Sequence, residues 1–188
     1  MPQVDAPFGL RPIRRKDGGV VGRVAEYTIA SALAANIGVG SLVKRTGTGR
    51  NLTIAVDADV VVGVFAGVKF RDAQGNTRYA PNWVSGTVTF NSEAATAYVY
   101  DDPQIVFAVR ASAGFTATDE GQFAGIVVGV PNAVGVATTK LNSADITGTL
   151  DNLKILNVAP FPDNTYGSFA IAEVLIAKHE YRDVISAT

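Results

Sequence analysis

The stretch Ala97-Tyr98-Val99-Tyr100-Asp101-Asp102-Pro103-Gln104-Ile105-Val106-Phe107-Ala108-Val109-Arg110-Ala111 decides how this chain is read. β-Branched and aromatic residues on both flanks suit a pleated, half-buried surface, and Pro103 cannot donate to a ladder. The reading is therefore two strands of a central hairpin, turned tightly at Asp101-Asp102-Pro103. In the second strand Ile105, Phe107 and Val109 share one face and Val106, Ala108 and Arg110 the other, the period of two that marks a strand.

The same pattern recurs outward from this centre. Upstream, strands are expected over 24–29, 41–44, 51–56, 60–70, 77–79 and 86–90. Gly63 and Gly67 fall inside the most apolar of these, so a bulge or a close backbone approach is expected there. Thr46-Gly47-Thr48-Gly49-Arg50 and Asp72-Ala73-Gln74-Gly75-Asn76 read as hairpin loops. Alanines between Ala30 and Asn36 suggest a turn or two of helix. Downstream, a polar link over 116–122 has room for a helical turn. Strands follow over 124–130 and 153–158, then a rigid turn at Pro160–Asn164 and a long closing strand over 169–181. The segment 131–152, rich in threonine and small residues, reads as an irregular surface excursion with one short strand or a seat on a neighbour. The expected fold is all-β, a small barrel or sandwich of about nine or ten short strands. Residues 25–188 form a single domain, and residues 1–24, with Pro2, Pro7, Pro12 and Gly18-Gly19, form an extended N-terminal arm.

Composition narrows the function. The 188 residues contain no cysteine, which excludes disulfides, thiolate metal sites and thiol catalysis. Sixteen basic and seventeen acidic residues leave a net charge of −1, without the basic balance of a nucleic-acid binder. No run approaches the roughly 20 apolar residues of a membrane helix. The first residues lack the charged-then-apolar order of a secretory signal, so no export through the standard route is expected unless a segment was removed beforehand, and the chain is expected to be made in the cytoplasm.

Groups that carry chemistry are sparse. His179, the one histidine, lacks the second nitrogen or thiolate that a metal site wants, and an exposed or edge-strand position is expected for it. Asp101 and Asp102 read as turn-makers. Asp57 and Asp59 would fall on one side of a strand, but lack the further oxygen ligands and loop glycine of a calcium motif. Gly47-Thr48-Gly49 precedes a strand rather than a helix, which argues against a phosphate loop. Tyr79, Trp83, Tyr98 and Tyr100 are weighed as a sugar platform against core and seam filling, the second being favoured. No catalytic, cofactor or metal residue is expected, and no small-molecule substrate.

The arm is different. Phe8, Leu10 and Ile13 are apolar anchors that a solvated tail would not carry, so the arm is expected to lie on a surface, its own or a neighbour's. Arg11, Arg14, Arg15 and Lys16 are either a solvated flank or a contact to an acidic surface. Phe8, Leu10, Arg11, Ile13, Arg14 and Arg15 are thus the candidate partner-binding residues.

Pro7-Phe8-Gly9-Leu10-Arg11-Pro12, Tyr98-Val99-Tyr100-Asp101-Asp102-Pro103 with Val106-Phe107, Pro162-Asp163-Asn164, Ala172-Glu173-Val174-Leu175-Ile176 and His179-Glu180-Tyr181 follow one another in an order that resembles tailed-bacteriophage virion proteins of the head decoration, or capsid cement, type. The resemblance implies a non-enzymatic β-rich protein on the outer surface of the capsid. Such a protein, often a homotrimer, bridges neighbouring major capsid protein subunits and stabilises the shell. It also implies that the Phe8–Pro12 segment reaches a neighbour. Two other functions stay open: a minor capsid, tail or baseplate component, and, more remotely, a carbohydrate-binding host-attachment module.

Overall fold

The computed structural model describes residues 4–47 and 49–182, and the chain is nearly all β. Its strands are β1 (Arg11–Arg15), β2 (Ala25–Ile29), β3 (Ile37–Gly38), β4 (Leu42–Arg45), β5 (Leu52–Ile54), β6 (Gly63–Arg71), β7 (Thr77–Ala80), β8 (Asn82–Trp83), β9 (Ala95–Tyr100) and β10 (Ile105–Arg110). The chain continues through β11 (Gly114–Phe115), β12 (Phe123–Val127), β13 (Lys140–Thr147), β14 (Leu153–Val158), β15 (Gly167–Ser168) and β16 (Ile171–Ile176). One six-stranded sheet runs β1-β10-β16-β14-β12-β13; the other runs β2-β9-β6-β4-β5, with β7 paired to β6. The all-β expectation holds.

Both sheets curl. Ala111 bridges Leu141, with the Ser112 N–H donating to the Leu141 carbonyl at 2.9 Å, which draws β13 back toward β10. Likewise Thr28 bridges Asn51 and donates its N–H to the Arg50 carbonyl at 3.1 Å, drawing β2 toward β5. Each closure shortens an exposed edge. Two cores result. The larger joins Ile105, Phe107, Val109, Leu153, Val174 and Ile176 of the first sheet to Leu42 and Val64 of the second. The smaller, on the other face of the second sheet, gathers Tyr27, Ile29, Val43, Phe65, Trp83 and Val99.

The corner at Asp101-Asp102-Pro103 is a turn, with Asp102 Oδ1 accepting the Gln104 N–H at 2.8 Å and the Asp102 carbonyl accepting the Ile105 N–H at 3.2 Å. The expected hairpin does not form. Both edges of β9 are taken, by β2 and β6, so β10 cannot pair with it and crosses to the other sheet. The corner is thus the strap between the two sheets.

Gly63 and Gly67 divide the two expected roles between them. The register of β6 against β9 shifts between Phe65 and Gly67, and Gly67 has φ of +144°, a bulge that glycine tolerates. At Gly63 the backbones touch: an added Cβ would lie 2.1 Å from the Tyr100 carbonyl oxygen.

Other expectations need correction. The alanines from Ala30 to Asn36 form turns, not helix, and Ala32 sits at φ of +61°, with its N–H bonded to the Thr87 carbonyl. Residues 86–89 are loop, and a 3-10 turn (Phe90–Ser92) replaces the end of the strand expected there. The excursion at 131–152 does carry one strand, as its reading allowed, but β13 runs for eight residues rather than a short stretch. The 3-10 turn at Ala117–Asp119 does lie in the link where a helical turn was expected. The last strand ends at Ile176, and residues 183–188 of the expected domain lie outside the described residues.

The N-terminal arm is a strand of the domain over Arg11–Arg15. β1 pairs antiparallel with β10, the Leu10 N–H donates to the Gly40 carbonyl at 2.9 Å, and Leu10 is 2% exposed within the larger core. The reason is the free edge of β10, which β16 pairs on one side only. Residues 16–24 are irregular, and residues 1–3 lie outside the described residues.

Candidate functional site

The candidate partner-binding residues come together along β1, but not all of them face outward. Leu10 belongs to this chain's own core and reaches only the edge of the groove described below. Ile13 is the extra residue of a bulge: Pro12 pairs with Phe107 and Arg14 with Val106, leaving Ile13 without an opposite. That bulge reorders the charges. In a regular strand Arg11 and Arg14, three apart, would face opposite sides, but partners Ala108 and Val106 share a face, so Arg11 and Arg14 share it too.

On that face Arg14 Nη2 donates to Glu173 Oε2 at 2.7 Å, and the Glu173 side chain is 4% exposed against 48% for Arg14. Arg11 is exposed, with no ion-pair partner among the described residues. Because a buried carboxylate without its cation is costly, Arg14→Met is expected to lower stability by about 2 kcal/mol, less than a fully buried pair since Arg14 is half in water. Thermal unfolding of the variant checks this; an unchanged midpoint would mean that water replaces the guanidinium.

Recesses flank β1 at both ends. An apolar groove of about 320 Å³ is lined by Phe8, Leu10, Pro12, Val39, Ala66, Tyr100 and Val136, with Arg11 beside them. At the other end a polar recess of about 330 Å³ is lined by Arg15, Arg23, Asp101, Asp102, Val21 and Tyr181, among others. Arg15 is held by Asp17 at 2.9 Å and by Asp102 at 2.7 Å, so it braces the corner.

Tyr27 and Tyr181 meet behind that recess. Tyr27 donates to Asp101 at 3.0 Å, its hydroxyl lies 2.7 Å from that of Tyr181, and Arg45 Nη2 donates to the Tyr181 hydroxyl at 2.6 Å. Burial, then the Tyr181 and Asp101 contacts, push the Tyr27 hydroxyl far above its usual range, so it stays protonated.

His179 is fully buried, which corrects the exposed or edge position expected for it. Its Nδ1 accepts the Tyr181 N–H at 3.1 Å, and its Nε2 is the buried side-chain polar atom left without a partner among the described residues. Burial pulls the imidazole down to about 4.

Asp57 and Asp59 part company. Asp59 binds Lys44 at 2.8 Å, whereas Asp57 joins Asp145 and Asp151 in a group whose ligand oxygens lie within 4.8 Å of one another. These three carboxylates are the described residues with the spacing to hold a hard cation. Desolvation, then the charges of Asp151 and Asp57, raise the Asp145 carboxyl above its usual range. Two of the three come from β13 and the approach to β14, which no spacing near Asp57 reveals.

The aromatic residues do not form one platform. Trp83 is inside the smaller core, its indole N–H donating to the Leu33 carbonyl at 3.3 Å, while Tyr79 is exposed on β7 and Tyr100 packs against the larger core. Comparison of the chain with protein-family models, with curated proteins and with solved structures finds no match.

Proposed function

We propose that the protein is a non-enzymatic virion structural protein, a capsid decoration or cement protein that binds the outer surface of a phage head and bridges major capsid subunits. The observation that supports this reading is the outer face of β1, where the bulge at Ile13 sets Arg11 beside Arg14, and the apolar Phe8–Pro12 groove lies next to them. An apolar recess with the exposed guanidinium of Arg11 at its rim suits an acidic protein surface carrying a bulky side chain. Repetition over a capsid lattice makes modest contacts of this kind durable.

The test is co-sedimentation with capsid shells of its cognate phage. Arg11→Glu, at an exposed position outside the core, is expected to weaken decoration by about tenfold at moderate salt, with the loss shrinking as salt rises. Equal decoration by wild type and variant would remove β1 from the interface, and a protein that never accompanies particles would remove the function.

A further inference from the structure

The last described turn of the chain is pinned around one imidazole. The Val61 N–H donates to the Lys178 carbonyl at 2.8 Å and the Glu180 N–H to the Val61 carbonyl at 2.8 Å. The Arg182 N–H donates to the His179 carbonyl at 3.0 Å. Between these anchors the His179 ring is fully buried, with the Tyr181 ring 5.7 Å away. Outside it, Tyr181 is gripped by Tyr27 and Arg45, and Arg45 also binds Glu180 at 3.0 Å.

The tautomer follows from the bonds. Nδ1 accepts the Tyr181 N–H, so in the neutral ring the proton sits on Nε2. A second proton has one place to go, Nδ1, and there it meets the Tyr181 N–H head on, donor against donor. The Tyr181 bond must then break, and a cation is left in a site where neither nitrogen has an acceptor among the described residues.

We propose that residues 179–182 are an acid-released latch: the segment is held against Val61 while His179 is neutral, and protonation at Nδ1 frees Tyr181 from Tyr27 and Arg45. Release unroofs the Tyr27 hydroxyl and the Asp101 carboxylate, and takes away the Tyr181 wall of the polar recess. The groups whose charge bears on the ring are Asp101 and Asp102 from the corner, which favour the cation, and Arg182 from its own segment, which opposes it. Burial outweighs all three. The latch is independent of what β1 docks to.

The direction is fixed by linkage. The ring ionises near 6.5 once released and near 4 when held, so closure is strongest above about pH 6.5, weakens as pH falls, and levels off below about 4. The opening equilibrium rises roughly 30-fold by pH 5 and roughly 300-fold at the acid limit.

Two measurements test it. With one histidine in the chain, imidazole NMR reads the site directly; an Nε2-protonated tautomer at pH 7.5 and a midpoint well below 6 are expected. Hydrogen exchange reads the latch: protection of the Glu180, Tyr181 and Arg182 amides, corrected for intrinsic rate, falls roughly 30-fold from pH 7.5 to 5, while Phe107 and Val174 keep theirs. His179→Gln keeps every carboxylate and is expected to flatten that dependence. An Nδ1-protonated neutral ring, a midpoint near 6.5, latch amides that stay protected while the ring titrates, or an equal pH dependence in His179→Gln would each overturn the proposal. If that variant does not fold, the two wild-type measurements decide alone.

Discussion

Removal of residues 1–15 is expected to unfold the protein rather than to leave a folded body without its arm. Three losses coincide. Leu10 leaves the larger core, and loss of a buried leucine typically costs about 2–5 kcal/mol. Arg14 leaves Glu173 buried and unpaired. The β10 edge is stripped of its five-residue partner. Together these approach the whole stability of a domain, about 5–15 kcal/mol. Near-UV circular dichroism, reporting on the single tryptophan Trp83, is expected to lose its cooperative thermal transition. A truncated chain melting within a few degrees of the full one would show that β1 lies on the core without supporting it. The consequence reaches function: truncation does not test docking, and Arg11→Glu does.

Gly63→Ala is expected to be the most damaging single substitution. A Cβ there would stand 2.1 Å from the Tyr100 carbonyl oxygen and 2.9 Å from both the carbonyl carbon and Val99 Cγ1. Two of those three atoms are backbone of a strand paired on both sides, so nothing can swing away. Moving β9 off β6 disturbs both cores, since Val99 lies in the smaller and Tyr100 packs on the larger. A loss of about 3 kcal/mol or more is expected, or roughly 10 °C in the unfolding midpoint. Gly67→Ala serves as the comparison: its nearest neighbour would be 3.4 Å away, so its cost comes from a φ of +144° and not from collision. Equal midpoints for wild type and Gly63→Ala would mean that the two strands are not as closely laid as described.

The candidate site was only partly legible in the chain. Arg11 and Arg14 are visible as charges, but their common face depends on the bulge at Ile13, and nothing in Pro12-Ile13-Arg14 marks which residue goes unpaired. Leu10 and Phe8 look alike as apolar anchors and both border the groove, yet Leu10 is 2% exposed within the larger core and Phe8 is half-buried outside it. Asp57 stood out beside Asp59, and its real companions, Asp145 and Asp151, lie some ninety positions away.

What the sequence alone determined is local. Alternation at Ile105, Phe107 and Val109, glycines at 63 and 67, and the Asp-Asp-Pro corner specify strands, a bulge, a close approach and a turn, because each depends on residues within a few positions of one another. Tertiary structure alone decided which edge each strand found. Whether the corner closes a hairpin or crosses between sheets depends on β2 and β6 having occupied β9 already. Whether a lone histidine lies in water or under a latch depends on where Val61 runs. Hydrogen-bonding edges and burial are filled by competition among segments far apart in the chain, and no short window records the outcome of that competition.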